Sequence, residues 1–338
     1  MKRLVVLLCF LSIACAQEGI FAFPEVKQAN TQKNPVKHPS TTVHPKTEGF
    51  PVSFAFGYEF LLSRIVSPRS IYALSMAPDF VDLTIVKGEA HFVGFNFTDA
   101  HRAFLSLGTH ENFFWAADGF YLKDRQTRST QGIVLIPFLT FFLGPPLPFE
   151  TAVATSKVSL QYLDGLLFYS GKVSRYFIFE PFIGGRFLHH SNSFNAVYTD
   201  SNFLNAELVF KNQINGGGIV VGSGGKFMLS PHVYFFGNFS LNGIVGRQKY
   251  STELDVPQSS DVKIIDFPGR RLKLLTGLQY AVGCGVDLGV AGNFSTSFRV
   301  GYEHMTYFKV TSSDFLLDVE APEDFDMQAV TFGLAFGY

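Results

Sequence analysis

The sequence predicts an all-β chain, a single antiparallel transmembrane β-barrel of about fourteen strands, with twelve as the alternative count. Three observations predict it. Short stretches alternate apolar with small or polar residues at period two, as strands with two unlike faces do. Charged residues make up 16% of the 338, and 39 residues are Phe; ordinary soluble domains carry roughly 25% charged residues, whereas a surface in contact with lipid needs few. Finally, no helix long enough to span a bilayer follows the first sixteen residues. The longest apolar stretch, 133–143, is interrupted by Pro137 and Thr140 and runs into Gly144-Pro145-Pro146, and a spanning helix takes roughly twenty residues. A chain that crosses lipid without helices must close its strands into a barrel, because closure satisfies every backbone hydrogen bond.

Residues 1–16 read as a secretory signal peptide. Lys2 and Arg3 precede about ten apolar residues, and Ala14-Cys15-Ala16 is a small-residue cleavage pattern followed by Gln17. The competing reading is a lipoprotein signal at Leu11-Ser12-Ile13-Ala14-Cys15, with Cys15 lipidated. Beyond the signal only Cys284 remains, which leaves no intramolecular disulfide and reads as a small apolar side chain. Residues 17–50 carry Lys27, Lys33, Lys37 and Lys46 among Pro35, Pro39 and Pro45 with little to bury, so a disordered periplasmic tail is expected.

From residue 51 to 338 the pattern is β. Phe54, Phe56, Tyr58 and Phe60 alternate with Ala55, Gly57 and Glu59. The same period joins Val93, Phe95 and Phe97; Val158, Leu160 and Tyr162; Leu274, Leu278, Tyr280 and Val282; and Phe294, Phe298, Val300 and Tyr302. The last stretch places Val330, Phe332, Leu334, Phe336 and Tyr338 on one parity and Thr331, Gly333, Ala335 and Gly337 on the other. Such a C-terminal strand resembles the assembly signal read by barrel insertion machinery. The apolar parity is expected to meet lipid and the other parity water. Charges obey this: Glu180 and Arg186 share one parity while Phe179, Ile183 and Phe187 take the other, although Phe182 and Leu188 fall on the charged side. A Lys or Arg facing lipid at midplane would cost about 2–4 kcal/mol. The segments 171–175 and 229–232 read as short turns at the periplasmic end, and 191–212 and 247–271 as long polar external loops. Residues 63–90 resist parsing.

The stretches KVSLQYLDG at 157–165 and RYFIFEPFIGGRF at 175–187 resemble the central hairpin of the Legionella-type major outer membrane protein family, also found in chlamydia-related bacteria. FFGNFSL at 235–241, LTGLQY at 275–280, VGYE at 300–303 and VTFGL at 330–334 add to the likeness. It covers residues 150–338 well and 50–122 loosely. The resemblance implies a pore, hence an outer-membrane porin passing small hydrophilic solutes or ions by passive diffusion. The apolar stretch 133–143 and the basic tail have no counterpart in it.

A wet lumen would be lined by polar side chains, for which Gln161, Glu180, Arg186, Asn238, Asn242, Lys273, Arg299 and Glu303 are the candidates. Asp314, Asp318, Glu320, Glu323, Asp324 and Asp326 form an acidic segment without a base, expected to make the external mouth electronegative. No catalytic motif is present: there is no Gly-x-Ser-x-Gly, His-Glu-x-x-His or P-loop. His189 and His190 are adjacent, so on a strand they face opposite sides and cannot share a metal. No enzyme activity, cofactor, metal or nucleic-acid partner is expected. The expected partners are outer-membrane lipid, the insertion machinery and small solutes, with room for a homo-oligomer. A surface adhesion or structural barrel is the alternative function, and a membrane-embedded hydrolase the third.

Overall fold

The computed structural model describes residues 53–67, 70–76, 88–110, 112–136, 149–200, 205–255, 263–289, 295–311 and 323–337. The signal and tail expectations, with Cys15, lie outside them, as do Phe294 and Tyr338. The described elements are all strands: β1 (Phe54–Ser67), β2 (Ser70–Met76), β3 (Gly88–Val93), β4 (Phe97–His110), β5 (Phe113–Leu135), β6 (Phe149–Tyr169), β7 (Gly171–Lys172), β8 (Phe177–Thr199), β9 (Asn205–Met228), β10 (Val233–Asp255), β11 (Lys263–Gly289), β12 (Ser295–Thr311) and β13 (Glu323–Gly337). Antiparallel pairing runs β1–β4–β5–β6–β8–β9–β10–β11–β12–β13 and returns to β1. The ring therefore closes on ten strands. Fourteen is too many, and so is twelve. The β2–β3 hairpin stands outside the ring and touches it through Leu74 and Ser75 against Leu135 and Val134 of β5.

The closed ring has two ends. β1 begins and β13 finishes at one of them, the terminal end, where the connections after β4, β6, β9 and β11 also lie. Towards this end the outward face is apolar on every ring strand. Phe54, Phe56, Tyr58 and Leu62 of β1, Leu105 and Leu107 of β4, Phe113 and Trp115 of β5, and Leu163 and Tyr169 of β6 are all exposed. Phe179, Ile183 and Phe187 of β8, Ile219, Val221 and Phe227 of β9, and Phe235, Leu241 and Val245 of β10 continue the belt, which Leu274, Val282, Phe298, Tyr302, Phe332 and Leu334 complete. From Phe177 to Phe187 is ten residue steps, about 33 Å of strand; at the usual tilt of 35–45° this makes a belt about 25 Å tall, the height of the apolar band on a lipid-embedded barrel. Cys284 is free and faces out within it.

Beyond the belt the strands do not stop. β8 continues from Phe187 to Thr199 and β10 from Val245 to Asp255, fully paired with their neighbours. The stretches 191–212 and 247–271, expected as loops, are mostly strand. They project on the order of 30 Å past the belt, with only 201–204 and 256–262 outside the described residues. In this projection the polarity of the faces is reversed. Outward come Ser191, Ser193 and Asn195; inward come Phe194, Ala196 and Tyr198, each at most 5% exposed. Two buried apolar clusters fill the inside.

Two expectations about faces need correction. Val158, Leu160 and Tyr162 point inward and are buried, while Ser159 and Gln161 point outward. Their strand has already entered the projecting half, where an aqueous exterior leaves apolar side chains nowhere to go but the core. Val93, Phe95 and Phe97 do not share a face either: β3 ends at Val93 and β4 begins at Phe97, so the first two are buried and Phe97 is exposed. The inward placement of Phe182 and Leu188 needs no bulge. β8 pairs with β6 and β9 without a register shift, so the lumen is partly apolar at that level. The two His side chains diverge as expected: His189 faces Asn215 on the outer wall, and His190 lies buried inside against the Phe325 ring.

Candidate functional site

Strand number sets what the bore can hold. Barrel diameter grows with strand count; about eight strands leave an interior that side chains just fill, and sixteen to eighteen leave an aqueous channel. At ten strands the interior here is occupied by a layer of charges with an apolar layer stacked on it.

The charged layer is built across the pairing registers. Glu59 sits opposite Arg102, Asp118 opposite Asp164, and Asp164 opposite Arg186. Arg102 donates to both oxygens of Glu303 at 2.6 and 2.7 Å and to Glu59 at 3.0 Å, with Asp118 3.7 Å away. It also donates to the Tyr162 hydroxyl at 3.0 Å. Arg186 forms a two-pronged pair with Asp164 at 2.6 and 2.7 Å and donates to the Tyr307 hydroxyl at 2.9 Å. Its guanidinium lies 4.0 Å from the Tyr162 ring centre. Gln279 donates to Glu303 at 2.9 Å and ties the two halves together. Arg299 completes the layer by reaching across β13 to Glu59 at 2.6 Å. Gly333, the register partner of both Glu59 and Arg299, makes this possible: a Cβ there would lie 2.7 Å from the Arg299 Cγ. Two- and three-way charge-assisted hydrogen bonds of this kind are what allow ions to stay in a dry interior. Glu303 is 0% exposed and Arg186 3%.

On the terminal side of this layer lies a vestibule of about 560 Å³, lined among others by Phe104, Ser106, Glu180, Lys226, Tyr234, Asn238 and Arg299. Lys226 and Glu180 approach to 3.5 Å in it. On the other side Leu61, Leu122, Leu160, Leu188, Ile214, Ile244, Leu275, Met305 and Met327 close the bore, each at most 4% exposed. Beyond them Arg271 donates to Gln248 and Gln248 to Asn212, both at 2.8 Å. Among the described residues, these buried side chains cover the vestibule on that side.

Seven of the eight sequence candidates face inward, but they are not brought to one surface. Glu180, Asn238 and Arg299 line the vestibule, and Arg186 and Glu303 belong to its floor. Asn242 and Lys273 lie deeper. Asn242 is buried without a hydrogen-bond partner among the described residues, and Lys273 donates to the Val310 carbonyl at 3.3 Å. Gln161 is the exception: it is exposed on the outer wall, because β6 keeps strict alternation about the inward Tyr162. Of the acidic segment, Asp314, Asp318 and Glu320 lie outside the described residues. Asp324 and Asp326 are strand residues, not free loop charges. Asp324 accepts from the Lys309 backbone N–H, and Asp326 accepts from Thr306 and sits 3.6 Å from His304. Glu323 opens β13. Of the expected assembly signal, Val330, Phe332 and Leu334 are exposed outward, with Phe336 on the same parity. Sequence reasoning missed Glu59, Arg102, Asp118, Asp164 and Gln279. Glu59 stood alone on the small parity of an aromatic strand, a signal that was available. Among the described residues no group of three or more His, Cys, Asp or Glu is placed to hold a metal.

No family model matches the chain, and no curated protein matches it. Solved structures similar to it include the outer membrane protease OmpT from Escherichia coli, at TM-score 0.41 and 10% identity over 87% of this chain and 99% of that one. A Pseudomonas aeruginosa FadL homologue follows at TM-score 0.31 and 8% identity over 85% and 90% of the two chains. The CymD monoaromatic hydrocarbon channel is similar at TM-score 0.30 and 8% identity over 84% and 87%.

Proposed function

We propose that this chain is an outer-membrane barrel that is closed at rest and works through its projecting half, as a surface module binding envelope or external partners. The observation that carries this is the filled bore: the Arg102–Arg186 layer and the leucine and isoleucine layer above it leave no continuous aqueous path among the described residues. The apolar belt supports membrane residence, and the terminal end, with its short connections, faces the periplasm in this reading. The projection supplies what a binding module needs, a rigid, core-filled sheet wall with a polar exterior. Neither bond-making chemistry nor a cofactor enters the proposal.

The vestibule favours a second reading, the porin implied by the resemblance to the Legionella-type family. Its charged lining resembles the wide end of a solute path, so small ions would enter there and pass when the floor rearranges. Planar-bilayer recording of the purified barrel separates the two. Closure predicts no discrete conductance steps at neutral pH. Regular steps in the unmodified protein would overturn it in favour of the porin.

A further inference from the structure

The outer wall of the projection is not uniformly polar. In register across β5, β6, β8, β9, β10 and β11, the first three outward rows beyond the belt read Tyr121–Gln161–His189–Asn215–Arg247–Leu272, then Lys123–Ser159–Ser191–Gln213–Lys249–Arg270, then Arg125–Lys157–Ser193–Lys211–Ser251. Seven of these residues are cations and none is a carboxylate. All seven cations are exposed, and among the described residues none is ion-paired. In register around β4, β1, β13 and β12 the rows continue as His101–Phe60–Phe332–Val300, Asp99–Leu62–Val330–Tyr302 and Phe97–Arg64–Gln328–His304, mostly apolar, with Asp99 and Arg64 as the single carboxylate and single Lys or Arg. The seven cations thus cluster on the β5-to-β11 side of the barrel.

Two further features point to an anion. Arg125 is the direct register partner of Lys157, and Lys249 of Arg270. Like charges directly opposite across a strand pair destabilise it, so two such pairs oppose folding unless a counter-charge lies between them. At the first of these rows and just below it, the wall is hollowed into a depression of about 750 Å³ lined by Tyr121, Gln161, His189 and Asn215 of that row and by Gly119, Leu163, Phe187 and Gly217 beneath it. An apolar trough beneath a carboxylate-free cationic patch has the two-part chemistry of an amphiphile with an anionic head.

We propose that this face binds a phosphorylated lipid of the surrounding leaflet, with its phosphates held by Lys157, Lys211, Arg247 and their neighbours and its acyl chains lying in the depression. The proposal rests on the reading of the chain as a lipid-embedded barrel. Guanidinium and ammonium groups suit phosphate as paired and point donors respectively, and a short step along the strand carries a ligand from the hydrocarbon edge to the charges.

The test is native mass spectrometry of the folded full chain in neutral detergent, titrated with lipid A and with the same lipid stripped of its phosphates, with inorganic phosphate as competitor. Lipid A is expected to bind more tightly than the stripped lipid and to resist inorganic phosphate. The triple variant Lys157→Gln/Lys211→Gln/Arg247→Gln is expected to lose roughly a hundredfold in affinity, while Arg64→Gln on the opposite wall changes little. Equal binding of the stripped lipid, unchanged affinity in the triple variant, or full displacement by inorganic phosphate would each overturn the site. Gel mobility before and after heating keeps the two readings apart: a heat-sensitive folded band without lipid binding sinks the lipid site alone, and absence of that band sinks the barrel.

Discussion

The Arg186–Asp164 pair offers a quantitative test of how dry the bore is. Both side chains are 2% exposed, and the two hydrogen bonds between them are 2.6 and 2.7 Å long. Arg186→Met leaves Asp164 as a buried carboxylate with its main partner gone, and Asp164→Leu leaves the guanidinium with only Tyr307 and Gln279 as hydrogen-bond acceptors. Removing one member of a buried pair costs about 3–5 kcal/mol, whereas apolar replacement of both is often close to neutral. Each single variant should therefore lower the folding constant by roughly 150- to 5,000-fold, at 1.36 kcal/mol per tenfold. The double variant Arg186→Met/Asp164→Leu should lie only about 1–2 kcal/mol below the parent, the remainder being the Tyr307 hydroxyl left without its donor. The singles thus sum to far more than the double, a coupling of at least ~4 kcal/mol. The assay is reversible urea unfolding in phosphatidylcholine vesicles, with stability taken from midpoint and slope for all four proteins. Singles within about 0.5 kcal/mol of the parent, or a double equal to the sum of the singles, would show that water reaches this pair and would refute the sealed floor.

The remaining expectations probe the wall. Trp115, the only tryptophan of the chain, is 56% exposed on the outward face of β5, between Leu107 and Leu167 in register. Its emission in vesicles should be blue-shifted, quenched by brominated acyl chains and indifferent to aqueous iodide; iodide quenching would place this face in water. Gly218 faces inward on β9, where an added Cβ would run into the Gly243 carbonyl oxygen of β10. Gly218→Ala should cost about 1–3 kcal/mol through forced backbone displacement, read as a lower urea midpoint, and an unchanged midpoint would deny the close approach of these strands.

Period-two alternation revealed the strands of β1, β8 and β11 to β13 directly, down to the inward Glu180, Arg186, Arg299 and Glu303. It did not reveal which face was which, since alternation is the same whether the apolar parity meets lipid or a protein core. β6 shows the difficulty. Its apolar residues lie inward at Val158, Leu160 and Tyr162 and outward at Leu163, Leu167 and Tyr169, so the phase changes in mid-strand. In sequence such a change looks like the end of one strand and the start of another. The same switch in β8 and β10 turns single strands of 23 residues into a short strand followed by a polar loop. These switches misplaced 191–212 and 247–271 and put Gln161 in the lumen. The overcount has a physical consequence, because fourteen strands would leave room for water where ten do not. The Arg102 network was out of reach for another reason: the partners of this β4 residue come from β1, β5, β6 and β12, and long-range register cannot be read from local pattern.

The seam between β1 and β13 joins Phe56 to Phe336 and Tyr58 to Leu334, residues almost 280 positions apart in the chain. Until the final strand arrives, any growing sheet shows two raw edges, each a template for unwanted partners. The most distant contact in sequence is also the one that closes the ring, so the wall has no closed form until β13 has joined both neighbours. A truncated chain lacking β13 would not be a slightly weaker version of this molecule but an open ribbon dependent on an escort.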